Sequence, residues 1–416
     1  MGSQNGDKPM VIVGGGLCGG NAAVALREEG FDGRVVVVAP EPGVPFGRPP
    51  LSKSYLRSEE ELDGWQVRRP GWYEEHDVEL VRSHVAEVDA DARLVILDSG
   101  EELGFQKLLI ATGGVNRHLG IPGARLTGVH QLRTVAQCEA IKREAIEGRH
   151  AVVLGMGFIG CEVAASLTQL GVRVTAVFGG KLPLERVVGP EVGGAFAAIH
   201  EEHGVELVSD EQLVRFEGEG RVEAAVTASG RRVECDFVVV GIGIEPHVPP
   251  FRTGSIEQSN GVLVDELCRT SASDIYAAGD LANTLHPLFG RVRVEHYNNA
   301  EKQGRAAARS MLGATDPYEY LYTFWSDQYE DKLEYAGYAV KWDEFVVRGS
   351  VEDRMFLGFY LVGGAVAAVV GLNRGGDPEL DKDAEMAAGA RLVGLRACVA
   401  ADVLAREEVD LWSLAR

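Results

Sequence analysis

The first part of the chain alternates apolar runs with a glycine-rich loop and a helical pattern. Residues 10–13 are apolar, residues 14–19 have the spacing Gly-x-Gly-x-x-Gly, and residues 21–29 follow a helical pattern. A second strand pattern, residues 34–40, ends at Glu41. This order predicts a dinucleotide-binding fold, because the glycines let the backbone approach a pyrophosphate and the acid can bind a ribose.

The same pattern occurs a second time. Residues 150–154 form a strand pattern, residues 155–160 repeat the Gly-x-Gly-x-x-Gly spacing, and a helical pattern to about residue 170 precedes a strand over 172–178. One dinucleotide fold commonly serves a nicotinamide, so two folds predict a second redox cofactor. We expect noncovalently bound FAD, because hydride can pass between a nicotinamide and a flavin.

From residue 321 the pattern changes to short alternating strands. Strands are predicted over 332–338, 344–348, 355–362 and 365–372, with a helical stretch from about residue 383. The uncharged stretch 355–372 approaches the length of a membrane span, but Gly363-Gly364 divides it into two β-rich runs, which predicts a hairpin. The expected fold class is α/β, with two Rossmann-like domains and a C-terminal α+β domain.

Charge and cysteine content exclude several classes of protein. The 41 basic and 62 acidic residues give a net charge of −21, which opposes nonspecific binding to nucleic acid or an anionic membrane. Six scattered cysteines without a C-x-x-C pair suggest neither a disulfide framework nor a metal site, and they fit a reducing compartment. With no export signal at the N-terminus, we expect a cytoplasmic protein without nucleic-acid or membrane partners.

Further segments carry a resemblance to a known family. They are residues 45–53, which contain Arg-Pro-Pro-Leu-Ser-Lys, the turns 111–113 and 279–280, and the motifs 293–300 and 324–329, the last containing Phe-Trp-Ser-Asp-Gln. Together with the two glycine loops, they make the chain similar to the FAD-dependent ferredoxin reductases of bacterial oxygenase systems, relatives of apoptosis-inducing factor. The resemblance extends from about residue 8 to the C-terminus.

The resemblance implies a domain arrangement. Residues 1–117 and 245–320 would form the FAD-binding domain, residues 118–244 an inserted NAD(P)-binding domain, and residues 321–416 a C-terminal interface domain. The second glycine loop lies inside the expected insert. The C-terminal part has no phosphate loop, so we expect it to serve as an interface or to cover the flavin.

The resemblance also implies roles for individual residues. Lys53 would place a positive charge beside the flavin ring with Glu162 as its partner, and Trp325 would be an aromatic ring near the flavin. The alternatives are a solvated lysine, a helix N-terminal acid favoured by the helix dipole and a core aromatic. The cofactor-binding residues expected from the loops and the resemblance are Gly14, Gly16, Gly19, Glu41, Arg48, Lys53, Val85, Ala111, Thr112, Gly113, Arg117, Gly155, Gly157, Phe158, Ile159, Gly160, Lys181, Gly243, Gly279, Asp280, Glu295, His296, Tyr297 and Trp325.

Three residues in these motifs are assigned no chemical step. His296 is assigned to packing at a helix start, because flavin hydride transfer needs no protein base. Tyr297 stands where relatives commonly have Trp, so a transfer role at this position is open. Cys18, inside the first loop, is interpreted as a buried inert thiol.

The nicotinamide site departs from the family pattern. Relatives mostly use NADH and keep an acid at the end of the second strand of the insert, where this chain has Phe178. No carboxylate there would bind the 2′-hydroxyl or repel a 2′-phosphate. We therefore expect NADPH to be usable beside NADH, with Lys181 as the neighbour of the phosphate.

The function expected from these observations is electron transfer from NAD(P)H through FAD to a two-iron two-sulfur ferredoxin that feeds a haem or Rieske oxygenase. The protein is expected to be a monomer or weak homodimer.

Lys302, Arg305 and Arg309 share one helical face, which is either a docking patch for an acidic ferredoxin or a solvated surface. A disulfide or peroxide reductase is disfavoured because the chain has neither a cysteine pair nor a reactive cysteine near the flavin motifs. The alternative is a dimerising, NAD(P)H-dependent redox sensor similar to apoptosis-inducing factor.

Overall fold

The computed structural model describes residues 8–415, which form two compact units. The first unit contains residues 8–49 together with Glu61–Val115 and Ile244–Tyr320, and the second contains Pro50–Glu60, Asn116–Gly243 and residues 321–415. Over the described residues the helices are α1 (Leu17–Glu28), α2 (Pro70–Glu75), α3 (Val135–Glu144), α4 (Phe158–Gln169), α5 (Glu185–Glu202), α6 (Tyr297–Met311), α7 (Glu385–Gly394), α8 (Ala401–Ala405) and α9 (Leu411–Leu414), with short 3-10 turns at Pro49–Ser52 and Leu62–Trp65.

The strands are short and lie in several sheets. In chain order they are β1 (Met10–Val13), β2 (Val35–Val38), β3 (Val78–Val81), β4 (Val85–Asp89), β5 (Leu94–Leu97), β6 (Glu102–Gly104), β7 (Lys107–Ile110), β8 (Gly114–Asn116), β9 (Val129–Gln131), β10 (His150–Leu154), β11 (Arg173–Val177), β12 (Glu206–Val208), β13 (Leu213–Glu217), β14 (Ala224–Thr227), β15 (Arg232–Glu234), β16 (Phe237–Val240), β17 (Ile244–Pro246), β18 (Phe251–Thr253), β19 (Val262–Val264), β20 (Ile275–Ala277), β21 (Ala282–His286), β22 (Gly290–Arg293), β23 (Thr323–Gln328), β24 (Asp331–Gly337), β25 (Glu344–Ser350), β26 (Met355–Val362) and β27 (Ala365–Leu372).

A five-stranded parallel sheet forms the centre of the first unit, with the order β20-β7-β1-β2-β3. Along β1, Met10 and Ile12 belong to the apolar core on one face, and Val11 and Val13 belong to the core on the other. Both faces are buried, which explains why the sequence of this strand is continuously apolar instead of alternating.

The second unit contains a parallel sheet of the same size, with the order β12-β11-β10-β16-β9, and an antiparallel sheet with the order β23-β24-β27-β26-β25. The predicted hairpin is present: β26 and β27 pair in antiparallel fashion, and Gly363 and Gly364 between them have φ values of +58° and +80°. Two successive positive φ angles are those a tight hairpin turn needs, and glycine adopts them without strain. No helix among residues 8–415 has the length and apolar character needed to span a membrane.

The sequence placed some boundaries a few residues away from those observed. Helix α1 begins at Leu17, directly after its N-cap residue Gly16, and not at residue 21 as predicted. Gly19 and Gly20 are buried in the first turn of the helix. The predicted C-terminal helix begins at Glu385. The predicted α/β fold class with a separate C-terminal sheet matches the observed architecture.

Candidate active site

The first glycine loop has the shape that a pyrophosphate site needs. Gly14 has φ +118°, and a Cβ there would lie 2.2 Å from the carbonyl oxygen of Ala111. A Cβ on Gly19 would lie 1.9 Å from the Gly14 oxygen, whereas one on Gly16 would meet no atom within 4 Å. The loop is therefore closed on its inner side and open above Gly16, at the N-terminus of α1, where backbone N–H groups can bind an anion.

A surface pocket of about 350 Å³, a volume that includes open solvent, lies beside this loop. Gly15, Ala39, Glu41 and Arg82 are among its lining residues. Glu41 follows β2 and accepts a hydrogen bond from the Arg48 guanidinium at 2.6 Å. The pocket thus has an acid at the position where a dinucleotide ribose is bound in this type of fold.

The turn at Gly279-Asp280 lies against helix α1. A Cβ on Gly279, which has φ +80°, would lie 3.0 Å from the Cβ of Cys18. The buried Gln303 on α6 accepts the Gly279 N–H at 2.8 Å, and the Asp280 carbonyl accepts a hydrogen bond from Arg293 at 2.8 Å. Burial raises the pKa of the Cys18 thiol well above its usual value, which agrees with an inert thiol.

The motif around residues 293–300 forms the start of α6. Glu295 is paired with Arg293 at 2.6 Å, and His296 is the N-terminal cap residue of the helix. Burial lowers the pKa of His296 to about 4, so its ring is neutral at pH 7. Tyr297 packs edge-on against Trp65 at 6.0 Å, and a Cβ on Gly47 would lie 2.5 Å from the tyrosine ring.

The remaining predicted residues of the first unit lie at strand ends. Ala111, Thr112 and Gly113 follow β7, the Thr112 hydroxyl donates to the His247 carbonyl, and Gly113 accepts the His247 N–H at 3.0 Å. Val85 begins β4 and packs partly buried against the sheet core. These contacts fix the turn after β7 through the backbone.

The second glycine loop repeats the geometry of the first. A Cβ on Gly160 would lie 1.9 Å from the Gly155 oxygen, and one on Gly157 would meet nothing within 4 Å. Phe158 packs on the ring of Phe324 at 4.9 Å, whereas Ile159 is exposed. Two loops of the same shape occur in different units of one chain.

Two further groups of predicted residues belong to the second unit. Phe178 is buried at the end of β11, and Lys181 is exposed three residues later. The Leu184 N–H donates to the Met156 carbonyl at 2.9 Å, which ties the segment after β11 to the glycine loop. Arg117 donates its backbone N–H to the carbonyl of Gly243 at 3.1 Å.

Lys53 and Glu162 form an ion pair in the second unit. The distance from Lys53 Nζ to Glu162 Oε2 is 2.6 Å, and the Glu162 side chain is 3% exposed. Ser52 donates its hydroxyl to Oε2 at 2.6 Å, and Ser326 donates to Oε1 at 2.8 Å. The structure therefore brings together the two residues that the sequence proposed as a pair.

The sequence did not single out the serines or the residues behind them. Gln328 Nε2 donates to Ser326 Oγ at 3.2 Å, and the Gln328 amide oxygen lies 3.0 Å from His200 Nε2. Ser326 and Gln328 belong to the Phe-Trp-Ser-Asp-Gln motif that also contains Trp325. Alternation along β23 was the available signal, because it places these two side chains on the face opposite Trp325.

The other face of the C-terminal sheet carries a group of charges near Trp325. Trp325 and Asp327 pair across β23 and β24 with Glu334 and Lys332 respectively. Burial raises the pKa of Asp327, although Lys53 and Lys332 oppose this shift. Burial also raises the pKa of Glu334 to about 7, against the lowering effect of Lys332 at 2.7 Å.

The basic face predicted on α6 is paired with acids. Arg305 donates to Glu28, Arg309 lies 4.0 Å from Glu29, and Lys302 lies 4.0 Å from Glu301. The positive charge of this face is thus largely neutralised within the chain.

The residues of both units fit the cofactors that the sequence suggested. The open position at Gly16, the N-terminus of α1 and the pocket that contains Glu41 suit a dinucleotide such as FAD, and the open position at Gly157 suits a second dinucleotide. Two such loops with a shielded lysine define an oxidoreductase that works with two dinucleotides.

Comparison with known proteins supports this class. The family model described as pyridine nucleotide-disulphide oxidoreductase matches residues 8–304, and the model described as reductase C-terminal matches residues 323–415. The chain belongs to the pyridine nucleotide-disulphide oxidoreductase family.

Individual relatives narrow the comparison. Rhodocoxin reductase of Rhodococcus erythropolis is 38% identical over 88% of this chain and 86% of its own length. The ferredoxin–NAD(+) reductase component of the anthranilate 1,2-dioxygenase system of Burkholderia cepacia is 37% identical over 89% of this chain and 92% of its own. A crystal structure of the covalent putidaredoxin reductase–putidaredoxin complex has a TM-score of 0.91 at 32% identity, covering 99% of this chain and 98% of that one. These matches confirm the predicted family, fold class and reductase activity.

Proposed function

We propose that this chain transfers electrons from NADH or NADPH, through noncovalently bound FAD, to a two-iron two-sulfur ferredoxin that serves an oxygenase. The observation that carries the proposal is the pair of glycine loops with the same open position, at Gly16 in one unit and Gly157 in the other. When bound, FAD accepts hydride from the nicotinamide and releases electrons one at a time. The relatives named above are reductases, which favours this function over a redox sensor.

The residues of the chain have separate tasks in this proposal. The first loop, Glu41 and Asp280 hold the flavin nucleotide, and the second loop holds the nicotinamide nucleotide. Glu162 fixes Lys53 as a positive charge that stabilises the anionic character of reduced flavin. Trp325 shields the reacting ring from water. We further propose that the protein works in the cytoplasm as a monomer or weak homodimer.

The test is a single-turnover experiment on the purified yellow protein. NADH or NADPH should bleach the flavin absorbance, and a two-iron two-sulfur ferredoxin added afterwards should restore it while becoming reduced. Flavin that is released by heat as FMN, or that bleaches without reducing any ferredoxin of an oxygenase system, would contradict the proposal. Analytical ultracentrifugation across a concentration series tests the oligomeric state.

A further inference from the structure

A series of hydrogen-bonded, buried polar side chains begins at Glu162. Ser326 Oγ is 2.8 Å from Glu162 Oε1, Gln328 Nε2 is 3.2 Å from Ser326 Oγ, and His200 Nε2 is 3.0 Å from Gln328 Oε1. His200 Nδ1 lies 3.2 Å from the hydroxyl of Tyr329. Ser326 and His200 have no exposed surface and Gln328 is 1% exposed, so bulk solvent does not reach these contacts.

Chemistry fixes the direction of each hydrogen bond in this series from Glu162 to His200. A carboxylate only accepts, so Ser326 must donate to Glu162, and its oxygen then accepts from the Gln328 amide nitrogen. The amide oxygen of Gln328 therefore faces His200 and requires a proton on Nε2. A neutral imidazole with its proton on Nε2 leaves Nδ1 as an acceptor, which faces the Tyr329 hydroxyl, a group that also has a side-chain hydrogen bond with Thr168.

The state of His200 agrees with this direction. Burial lowers the pKa of His200 to about 4, with a smaller raising effect from Gln328 and a lowering effect from His203. The ring is therefore neutral at pH 7, and a single tautomer satisfies both of its neighbours. Each donor in the series points its positive end toward Glu162.

We propose that Ser326, Gln328 and His200 are positioning residues, which stabilise the negative charge of Glu162 and hold its carboxylate toward Lys53. The series does not carry protons, because the amide of Gln328 exchanges them poorly and interrupts the path. Aligned hydrogen bonds in a buried site reinforce one another, so the far end of the series affects the carboxylate. This inference rests on the proposed function, in which Lys53 assists flavin reduction.

Two substitutions distinguish the effect of losing a hydrogen-bond donor from the effect of altered side-chain packing. Ser326→Ala removes the donor to Glu162. Gln328→Glu keeps the shape of the side chain and its acceptor for His200, but a carboxylate cannot donate to Ser326. Thr175→Val is the matched control, because it also removes a buried hydroxyl that donates to a carboxylate, that of Glu206 at 2.9 Å, outside this series.

The expected result is a loss in the rate of reduction without a loss in binding. Ser326→Ala and Gln328→Glu should lower the limiting rate of flavin reduction about tenfold, the size expected for losing a hydrogen bond to a charged group. The nucleotide Kd of both variants should change less than twofold. Ser326→Thr keeps the hydroxyl and should retain most of the parent's reduction rate. Thr175→Val should be reduced at the same rate as the parent protein. Thermal unfolding and flavin content show whether each variant is folded.

A spectroscopic measurement tests the direction without using activity. In protein labelled with ¹⁵N-histidine, His200 should carry its proton on Nε2 and stay neutral until the pH approaches 4. Gln328→Glu should raise the pKa of His200, because a carboxylate would then face the ring. A proton on Nδ1 at neutral pH would overturn the proposal, as would unchanged rates in both variants while Lys53→Met is slow. If neither nucleotide reduces the parent flavin, the proposed function fails instead, and the imidazole spectrum still decides the direction of the series.

Discussion

Lys53 Nζ lies 2.6 Å from Glu162 Oε2, with only 14% of the lysine side chain and 3% of the glutamate side chain exposed. Both charges have left most of their water, so each depends on the other and on the two serine hydroxyls that donate to the carboxylate. Removing one partner of a buried pair leaves an uncompensated charge, which is why such pairs respond strongly to single substitutions.

Lys53→Met should slow flavin reduction far more than it weakens nucleotide binding. The positive charge matters most as negative charge develops on the reduced ring, so we expect the limiting rate in stopped-flow traces to fall about 100-fold, as for loss of an electrostatic stabiliser. Glu162→Gln should have a smaller effect on the same step. Lys341→Met, at an exposed lysine of the same unit, is the control and should leave the rate unchanged. Lys53→Met protein that is reduced as fast as the parent would contradict the assigned role.

Gly16→Val and Gly157→Val should separate the two dinucleotide sites. Both positions have extended backbone angles and open space where a Cβ would stand, so neither substitution should disturb the fold. Gly16→Val should be purified without flavin, because the side chain occupies the approach of the pyrophosphate. Gly157→Val should retain yellow flavin but lose reduction by NAD(P)H, and each variant is the control for the other. Flavin retained at full stoichiometry in Gly16→Val would mean that the pyrophosphate lies elsewhere.

Local patterns predicted the parts of the fold that depend on local geometry. The two glycine loops and the hairpin turn at Gly363-Gly364 could be predicted because the required backbone conformations are encoded within a few residues. The contact between Ser326 and Glu162 joins positions 164 residues apart, and that between His200 and Gln328 joins positions 128 apart. Such contacts depend on how separate elements pack, so no periodicity along the chain indicates them.

The nicotinamide site should accept NADPH. Phe178 is buried at the end of β11 and places no carboxylate against a 2′-phosphate, while Lys181 is exposed nearby. We expect kcat/KM for NADPH within about tenfold of that for NADH, and Lys181→Ala should lower only the NADPH value. Lys341→Ala, at another exposed lysine, is the control.

A strong preference for NADH would point to a different acid in this site. Discrimination above roughly 1,000-fold, about 4 kcal/mol, would contradict the prediction. In that case Glu185 is the residue to test, because its Oε2 accepts the Leu182 N–H at 3.3 Å and lies 3.9 Å from where a Cβ on Gly180 would stand. Glu185→Gln would then relax the preference.

Glu334→Gln should stabilise the protein at neutral pH but not in mild acid. Burial raises the pKa of Glu334 from 4.5 to about 7, so between these values the folded state holds a proton that the unfolded state has lost. The free energy of unfolding of the parent should therefore fall as pH rises through this window, by up to about 1.4 kcal/mol per pH unit, and level off above pH 7. In urea unfolding from pH 5 to 8, the free energy of unfolding of the variant should increase relative to that of the parent as pH rises. An exposed control on the same sheet, Glu344→Gln, should show no such trend, and a constant difference for Glu334→Gln would contradict the sign.

Charge reversal on α6 tests whether ferredoxin docks there. A chain of net charge −21 needs a local basic patch to attract an acidic ferredoxin, but Arg305 and Arg309 already face Glu28 and Glu29. Because these pairs cancel the local field in the parent protein, we expect ferredoxin to dock away from this face. The negative charge that Arg305→Glu combined with Arg309→Glu adds is then screened by salt from the docking site, so the ferredoxin KM should change less than about twofold. The measurement is ferredoxin reduction at several salt concentrations, with ferricyanide as the small acceptor. If the double variant raises the ferredoxin KM while the ferricyanide rate is unchanged, this face is the docking site. Glu28→Gln with Glu29→Gln should then lower the KM by exposing the two arginines.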